Sequence, residues 1–375
     1  MVRLPDYILN KEEKMIPRER VLKALSHGQP DRVPWVENGI DEPLQIRLMG
    51  GTDFTPGDLC RKLGLDGFGA TFPLEGGFEN PSPKSDAEKA VYSYYYPQKV
   101  NFDFFNTYFT ETADPDLGRC FLTTRLLDSE ESLSLFKSMM PDPDHPSRYE
   151  RVEHWIKKYS EDYAVFARLD LGTGATIQSM GLENFSYALM DNPKLIHKIH
   201  EKFSEWAIRT ISHLNRSSFD FLWIMDDLAW NKGPFMSPKV FREFCLPHMK
   251  EVAKTIKKPW VFHSDGNISP LLEDLLTLDM DALHPIQPDA MDITEVKQKF
   301  GEKLCLVGNI DLHYTLTRGT PEDVTIEVEK RIRDAGKDGS YIISSAMTLA
   351  DYCKPENVLA MADAVKSYGE YPIAE

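Results

Sequence analysis

The sequence has little cysteine and little basic charge, and it lacks a long apolar run. Five cysteines in 375 residues form no C-x-x-C pair, which argues against a disulfide scaffold or a structural zinc knuckle. The net charge of −16 makes nucleic acid an unexpected partner. No run approaches the roughly 20 apolar residues of a membrane span, and the polar N-terminus has no signal-peptide core. We therefore expect a cytoplasmic protein without nucleic-acid or membrane partners.

Apolar runs of strand length recur along the chain, and helical patterns separate nearly all of them. The eight runs occupy residues 32–38, 67–72, 164–171, 219–227, 260–266, 281–286, 304–311 and 339–346. Helices are expected at 16–27, 192–215, 237–256 and 320–336. Ser237-Pro238 and Thr320-Pro321 are typical of helix starts, where a capping side chain precedes a proline.

This alternation predicts an α/β fold in which a parallel sheet closes into a (β/α)8 TIM barrel. Continuous apolar runs suit strands that are buried on both faces. We expect one barrel domain over residues 1–375. A doubly wound open sheet is the alternative, but no Gly-rich phosphate loop follows an early strand.

One aromatic-rich region interrupts the alternation. Residues 91–109 contain nine aromatic side chains in nineteen positions. Together with 119–127 they predict an antiparallel β insertion at about 85–130, between the second and third strands. Such a segment forms either a small satellite core or an aromatic wall over the barrel mouth, and the sequence leaves both open.

Polar side chains gather where the predicted strands end. Chemistry in an α/β barrel sits at the carboxyl ends of the strands, and converging carboxylates and imidazoles are typical of active sites. The strand ends carry Glu37, Asn38, Asp170, Asp226, Asp227, His263, Asp265, His284, Gln287, Asn309, Asp311, Ser344, Ser345 and Met347. Taken singly, an aspartate here can be a helix cap and His263 a core histidine. Taken together, they predict an active site, in which His263-x-Asp265 offers nitrogen and oxygen ligands suited to zinc.

Several sequence blocks resemble the uroporphyrinogen decarboxylase family, in the family's order and over residues 17–368. They read "GLENFSYALMDNPKLIHKI", "SPKVFREFCLPHMKEV", "FHSDGN", "GNID", "GTPEDV" and "GSYIISSAMTLADYCKPENVLAMADAV". The resemblance implies a (β/α)8 barrel. It also implies either of two chemistries, namely decarboxylation of a tetrapyrrole or methyl transfer with a cobamide on a separate corrinoid protein.

The decarboxylase motifs are missing. The arginine-rich M-R-Q-A-G-R motif is replaced by "WVENGIDEPLQIRLMG", which carries Glu37, Asp41 and Glu42. An acidic mouth would repel a polycarboxylated porphyrinogen. "SSAMTL" stands where the decarboxylases have a C-terminal histidine. Decarboxylation is therefore the disfavoured alternative, and a binding protein that has lost its chemistry is another.

The thiol-methylating branch holds zinc with an H-x-C motif and a later cysteine. Here His263 matches the histidine, Asp265 replaces the first cysteine, and Met347 or its neighbour replaces the second. Methyl transfer to or from a thiol or another small molecule thus remains an alternative. With the decarboxylase motifs and the zinc-binding cysteines both missing, the sequence resembles the family members that demethylate methoxylated aromatic compounds.

The resemblance implies a set of roles and partners. His263, Asp265 and Asp226 or Asp227 are the expected catalytic residues, with His263 and Asp265 acting as metal ligands, zinc being the candidate, or as a proton-donating pair. Glu37, His284, Asn309, Asp311 and Met347 are expected to bind or orient substrate. The cobamide is expected on a partner corrinoid protein, since this chain has no D-x-H-x-x-G motif. A homodimer is left open.

Overall fold

A computed structural model describes residues 14–71, 126–140, 142–146 and 156–374, together with Tyr149 and Glu153. Within these residues, every helix is too short or too polar to cross a membrane. Most of the predicted aromatic insertion lies outside the described residues. Its last five positions, 126–130, contain no strand, and a helix begins at Glu130.

Seven parallel strands form one curled sheet with the order β1-β2-β3-β6-β7-β8-β9. The strands are β1 Gly67–Thr71, β2 Ala164–Leu169, β3 Phe221–Met225, β6 Trp260–His263, β7 Ala282–His284, β8 Cys305–Val307 and β9 Tyr341–Ile342. Chain order and spatial order agree, as expected when each strand returns through a crossover connection. Seven of the predicted apolar runs therefore supply the strands.

The one predicted run that forms none of these seven strands, residues 32–38, connects the two edges of this sheet. Trp35 forms a parallel bridge to Ile343, just beyond β9, and Val36 forms one to Gly67 in β1. The sheet is thereby joined to itself through residues 35 and 36. This arrangement is TIM-barrel-like, and the doubly wound alternative is not observed among the described residues.

Helices pack around the sheet, and their starts follow the expected chemistry. They are α1 Pro17–Leu25, α2 Glu42–Met49, α3 Pro56–Leu63, α4 Glu130–Met139, α5 Thr173–Met180, α6 Leu182–Asp191, α7 Pro193–Leu214, α8 Pro238–Phe244, α9 Leu246–Ala253, α10 Leu272–Leu275, α11 Ile293–Phe300, α12 Pro321–Gly336 and α13 Pro355–Tyr368. The Ser237 side chain accepts a hydrogen bond from Val240 N, and Thr320 forms a capping box with Asp323. Both predicted helix starts are confirmed.

One predicted helix is wrong in its continuity. The 237–256 pattern is split into α8 and α9 at Cys245, where φ is −114° instead of the usual helical value of about −63°. Pro247 occupies the first turn of α9, where its missing N–H costs nothing. A second helix therefore begins at Leu246 instead of the first one continuing.

Large aromatic side chains fill the centre of the sheet. The ring centroids of Phe166 and Phe221, and of Phe166 and Trp223, lie 4.9 Å apart. Smaller aliphatic side chains from the remaining strands complete this cluster, and Cys305 lies within it. A second, larger cluster fills the space between sheet and helices. The packed interior leaves the carboxyl ends of the strands as the place for chemistry.

A short hairpin covers part of that end. It consists of β4 Ala229–Trp230 and β5 Gly233–Pro234, which pair antiparallel directly after β3. Gly266, with φ +79°, lies against it, and Asn267 N donates to Trp230 O at 2.9 Å. The hairpin and the loop after β6 therefore form one packed unit beside His263.

Candidate active site

Three side chains converge at the carboxyl ends of β3 and β6. His263 Nε2 lies 3.5 Å from Asp227 Oδ1 and 3.7 Å from Asp265 Oδ1. The three potential ligand atoms all lie within 4.8 Å of one another, and this is the one such group among the described His, Cys, Asp and Glu residues. His263 and Asp265 lie side by side, as expected, and Asp227 is the third member. We refer to Asp227, His263 and Asp265 as the three-residue group.

His263 is buried, and its ring lies against a second histidine. Its Nδ1 lies 2.6 Å from His284 Nδ1, and the two rings stack with centroids 4.8 Å apart. Burial lowers the pKa of His263; the negative charge of Asp227 opposes this, and the positive charge of Arg168 adds to it. The ring therefore favours its neutral form.

Asp265 and Asp227 share a negative environment. Burial, followed by the charge of Asp227, raises the pKa of Asp265 well above its ordinary value. Asp265 N donates to Asp227 Oδ1 at 3.2 Å, which holds the two residues together. Asp265 Oδ1 is buried and has no hydrogen-bond partner among the described residues. An unpartnered buried carboxylate oxygen calls for a proton or a cation.

Glu37 follows residues 35 and 36, which join the two edges of the sheet at what we call its seam. Both of its carboxylate oxygens accept hydrogen bonds from protein groups. Oε1 accepts from Trp35 Nε1 at 2.6 Å and Ser345 N at 3.0 Å, and Oε2 accepts from the hydroxyl groups of Ser345 and Ser344. Burial raises the pKa of Glu37 to about 7 against these stabilising bonds. Glu37 therefore braces the strand ends, and its expected role at the substrate stays a prediction.

Asp226 is not part of the three-residue group. It is buried, and its carboxylate accepts from Leu171 N and from Gly174 N at the start of α5. Burial and the neighbouring charge of Asp170 raise its pKa well above the ordinary value. A catalytic role for Asp226 stays a prediction.

The remaining predicted residues differ in how much of their polar surface is used. Asn309 donates to Ile286 O at 2.7 Å, while its buried Oδ1 has no partner among the described residues. Asp311 accepts from the backbone N–H groups of His313, Tyr314 and Thr315, as a turn-capping aspartate does. Met347 is partly buried two positions beyond Ser345. Their substrate-binding roles stay predictions.

Arg168 is a site residue that the sequence argument missed. It belongs to β2, its guanidinium donates to Asn38 O at 3.1 Å, and its charge reaches His263. The signal in the sequence was an arginine inside the otherwise apolar run "AVFARLDL". A charged side chain in a buried parallel strand needs a polar destination, and the mouth of the barrel is that destination.

The three-residue group fits a divalent cation. One imidazole nitrogen and two carboxylate oxygens suit zinc, which takes three protein ligands and an open position in catalytic sites. The unpartnered Asp265 oxygen is the observation in favour of that fit. The same atoms also suit acid–base work, because the raised pKa of Asp265 keeps a proton available near His263. No described cysteine belongs to the group.

Comparisons with known proteins place this geometry in a family context. The chain is 25% identical over 202 residues to the uroporphyrinogen decarboxylase of Chlorobium phaeovibrioides, covering 51% of this chain and 55% of that protein. It is 20% identical over 223 residues to the methylcobamide:CoM methyltransferase MtaA of Methanosarcina barkeri, covering 60% and 64%. The methylated-thiol–coenzyme M methyltransferase of Methanosarcina mazei is 24% identical, with 50% and 48% covered. The chain thus spans about half the length of the curated relatives it matches.

A solved structure supports the fold over nearly the whole chain. A methyltransferase from Methanosarcina mazei superposes with a TM-score of 0.66 at 17% identity, covering 94% of this chain and 99% of that one. The family model described as uroporphyrinogen decarboxylase (URO-D) matches residues 173–368, slightly more than half of the sequence. Those residues include Asp227, His263 and Asp265. The chain belongs to the uroporphyrinogen decarboxylase (URO-D) family.

Proposed function

We propose that the protein is a methyltransferase that moves a methyl group from a methoxylated aromatic compound to Co(I) of a separate corrinoid protein. The observation that carries the proposal is the composition of the three-residue group. It offers one nitrogen and two carboxylate oxygens, and none of the described cysteines joins it. Two relatives named as coenzyme M methyltransferases support methyl transfer as the reaction class.

The absence of a thiolate from the described site argues against a thiol as the methyl acceptor. Thiolate ligands are soft, whereas carboxylates are hard donors that leave a bound cation more electron-poor. An electron-poor site favours an oxygen atom that gains negative charge during the reaction. The ether oxygen of a methoxyarene is such an atom, because it leaves as a phenolate.

The reaction breaks the bond between the methyl carbon and the ether oxygen. Co(I) of the corrinoid protein is the co-substrate and supplies both electrons of the new carbon–cobalt bond, so cobalt becomes Co(III). The electrons of the broken bond remain on oxygen, and the resulting phenolate takes up one proton. The barrier is lowered by whatever neutralises that oxygen as the bond breaks.

Asp265 is the residue that we assign to this proton. Burial and the adjacent Asp227 raise its pKa, so its carboxyl group stays protonated more readily than an exposed aspartate. His263 lies beside it and has a neutral ring. Asn309, whose Oδ1 lacks a partner among the described residues, is suited to accept a hydrogen bond from a hydroxyl substituent on the ring.

The site also fits a cation in place of the proton. Asp227, His263 and Asp265 would then hold it, and it would supply Lewis-acid polarisation of the ether oxygen. In either form the same three residues face the leaving oxygen. We extend the proposal to a cytoplasmic single-barrel protein that docks a separate corrinoid protein. The relative named methylcobamide:CoM methyltransferase supports such a partner.

A direct transfer assay tests the proposal. The purified protein is incubated with a reduced corrinoid protein and, separately, with methoxybenzoates, methanol, methylamines and a methylated thiol. Methyl-Co(III) is followed by its absorbance, and the free phenol is measured in parallel. We expect cobalt methylation with at least one methoxybenzoate and an equal amount of phenol. Methylation by methanol or the thiol alone would show that the substrate class is wrong.

Variants connect the activity to the three-residue group. Asp265→Asn and His263→Gln keep similar size but remove the acid and the ligand nitrogen, and we expect a loss of at least about 100-fold in the transfer rate. Glu273→Gln is the matched control, because Glu273 is an exposed carboxylate that pairs with Lys299 on the surface. Equal rates in all three variants would exclude this site as the reaction centre. Decarboxylation of a porphyrinogen by the same preparation would favour the family's other chemistry.

A further inference from the structure

The contact between His263 and His284 restricts where their protons can lie. The two Nδ1 atoms are 2.6 Å apart, so one of them donates and the other accepts. On the far side of His284, Nε2 lies 3.3 Å from the backbone oxygen of Ser345. A carbonyl oxygen only accepts hydrogen bonds, so His284 Nε2 must carry a hydrogen to bond it.

A neutral imidazole with its hydrogen on Nε2 has a lone pair on Nδ1. His284 Nδ1 is then the acceptor of the short contact, and His263 Nδ1 is the donor. His284 is fully buried against Trp223 and His263, and neither of its hydrogen-bond partners among the described residues is a carboxylate, so a second proton would leave an unpaired buried charge. The hydrogen positions thus follow from matching one donor to one acceptor in each of the two contacts that link Ser345, His284 and His263.

We infer that His284 is a positioning residue that fixes His263 as the Nδ1–H tautomer and thereby leaves the Nε2 lone pair facing Asp227 and Asp265. The inference rests on the proposed site but concerns its resting state, before any substrate binds. It gives His284 a different role from the substrate contact that the sequence suggests.

The two carboxylates alone would favour the opposite tautomer. Asp227 and Asp265 lie 3.5 and 3.7 Å from His263 Nε2, and a carboxylate prefers to face an N–H group. His284 therefore favours the Nδ1–H tautomer of His263, whereas the two carboxylates favour the Nε2–H tautomer, and the two cases give different spectra. The lone pair that it maintains is what a cation ligand requires, and it can also accept a hydrogen bond from a protonated Asp265.

The backbone carbonyl of Ser345, which accepts the hydrogen bond from His284, is itself held in place. The N–H and hydroxyl groups of Ser345 both donate to Glu37, at 3.0 and 2.6 Å. Trp223 packs its ring edge-on against His284, with centroids 4.8 Å apart. Neither the carbonyl of Ser345 nor the His284 ring is free to turn, so the tautomer is set by fixed groups.

Nitrogen-15 NMR of histidine-labelled protein, after any bound metal has been removed with a chelator, reads the tautomer directly and needs neither substrate nor corrinoid protein. Each ring nitrogen gives a pyrrole-type signal when protonated and a pyridine-type signal when it carries a lone pair. The His263 signals are assigned by their loss in His263→Gln. We expect a pyrrole-type Nδ1 and a pyridine-type Nε2 in the wild-type protein at neutral pH. A pyrrole-type Nε2 would overturn the inference.

Two substitutions at His284 separate positioning from packing. His284→Phe keeps a ring but removes the acceptor, and we expect the His263 signals to exchange, with Nε2 becoming pyrrole-type. His284→Asn places an amide oxygen near the former Nδ1, and we expect the wild-type pattern to be retained. His213→Gln, which removes a surface histidine beside Asp144, is the control. An unchanged tautomer in folded His284→Phe would also overturn the inference.

Zinc affinity, measured by competition with a chelating dye, is a second reading. We expect a loss of about 10–100-fold in His284→Phe and a smaller loss in His284→Asn, as for other residues that orient a metal-binding histidine. Equal affinity in all three proteins would contradict a positioning role. The NMR result and the methyl-transfer assay are independent, so failure of the proposed function leaves the tautomer result standing, and the reverse is also true.

Discussion

Glu37 and Ser345 are joined across the seam of the sheet by two hydrogen bonds, one from the Ser345 N–H at 3.0 Å and one from its hydroxyl at 2.6 Å. Glu37 follows the segment that bridges both sheet edges, and Ser345 follows β9. The pair therefore connects closure of the sheet to the position of the Ser345 carbonyl, on which His284 depends. Burial of Glu37 makes this connection sensitive to pH.

The first prediction concerns stability as a function of pH. Burial raises the pKa of Glu37 from 4.5 to about 7 in the folded protein, so the folded state binds its proton more tightly than the unfolded state. This contribution is fully present below pH 4.5 and is lost as pH rises to about 7. The loss amounts to roughly 3 kcal/mol of unfolding free energy, at about 1.4 kcal/mol for each pKa unit. The unfolding free energy of Glu37→Gln, measured in urea, should not show this loss, because glutamine cannot ionise.

The comparison is the difference in unfolding free energy between wild type and Glu37→Gln. We expect the variant to gain on the wild type by up to about 3 kcal/mol between acidic and mildly alkaline pH. The amide of the variant retains one oxygen for Trp35 and Ser345, so the fold should be preserved. Glu273→Gln, at an exposed position, should follow the wild type throughout. A pH-independent difference for Glu37→Gln would contradict the burial argument.

The second prediction concerns Gly266, which directly follows Asp265. A Cβ atom there would lie 2.6 Å from Trp230 O and 2.7 Å from Ala229 O, and the glycine has φ +79°. We expect Gly266→Ala to cost about 1–3 kcal/mol from the backbone conformation alone and more from displacing the hairpin. Gly50→Ala is the matched control, because Gly50 has the same φ and open space around it. Equal losses in melting temperature would show that the close approach is unimportant.

The third prediction concerns the ionic cluster at the opposite end of the strands. Asp66 is fully buried and accepts from Arg20 at 2.5 Å, Arg32 at 2.9 Å and Trp35 N at 2.8 Å. Asp66→Ala would leave two largely buried guanidinium groups with one partner fewer, at a cost of roughly 3–5 kcal/mol. Denaturant unfolding measures it, with Glu273→Ala as the exposed ion-pair control, expected to cost at most about 1 kcal/mol. Similar costs for the two variants would contradict the role of burial.

The sequence predicted the strands well because burial on both faces leaves continuous apolar runs. All seven strands of the curled sheet fall within the predicted runs, and residues 35 and 36 supply the closing bridges. The helix break at Cys245 was not predicted, since the apolar period continues through it. The break lies just before Pro247, whose ring and missing N–H are tolerated in the first turn of α9 but not inside a continuous helix.

The candidate site was predictable in kind but not in its connections. The rule that chemistry lies at the carboxyl ends of strands selected His263, Asp265 and the Asp226-Asp227 pair. The choice of Asp227 over Asp226 needed coordinates, because both follow the same strand. The chain from Glu37 through Ser345 to His284 joins residues more than 300 positions apart at its first step. Sequence periodicity carries no information about such a contact.

The fourth prediction concerns a bound cation. We expect the purified protein to carry about one equivalent of a divalent metal, zinc being the candidate for a nitrogen and two oxygen ligands. His263→Ala and Asp265→Ala should each remove it, because each supplies one atom of the group. Elemental analysis by plasma mass spectrometry measures the content. Lowering the pH should release the metal, because protons compete for the His263 nitrogen and for the carboxylate of Asp265, whose pKa burial raises.

Cysteine variants distinguish this site from a thiolate-bound one. The described cysteines, Cys60, Cys245, Cys305 and Cys353, are buried and outside the group, whereas Cys120 lies outside the described residues. We expect Cys120→Ser to retain the metal, because the oxygen and nitrogen ligands suffice for three positions. Loss of metal from Cys120→Ser with an unchanged melting temperature would instead mean that a thiolate completes the site. The hard-ligand argument for an oxygen-bound methyl group would then fail, since a thiolate donates more charge to the cation than a carboxylate does.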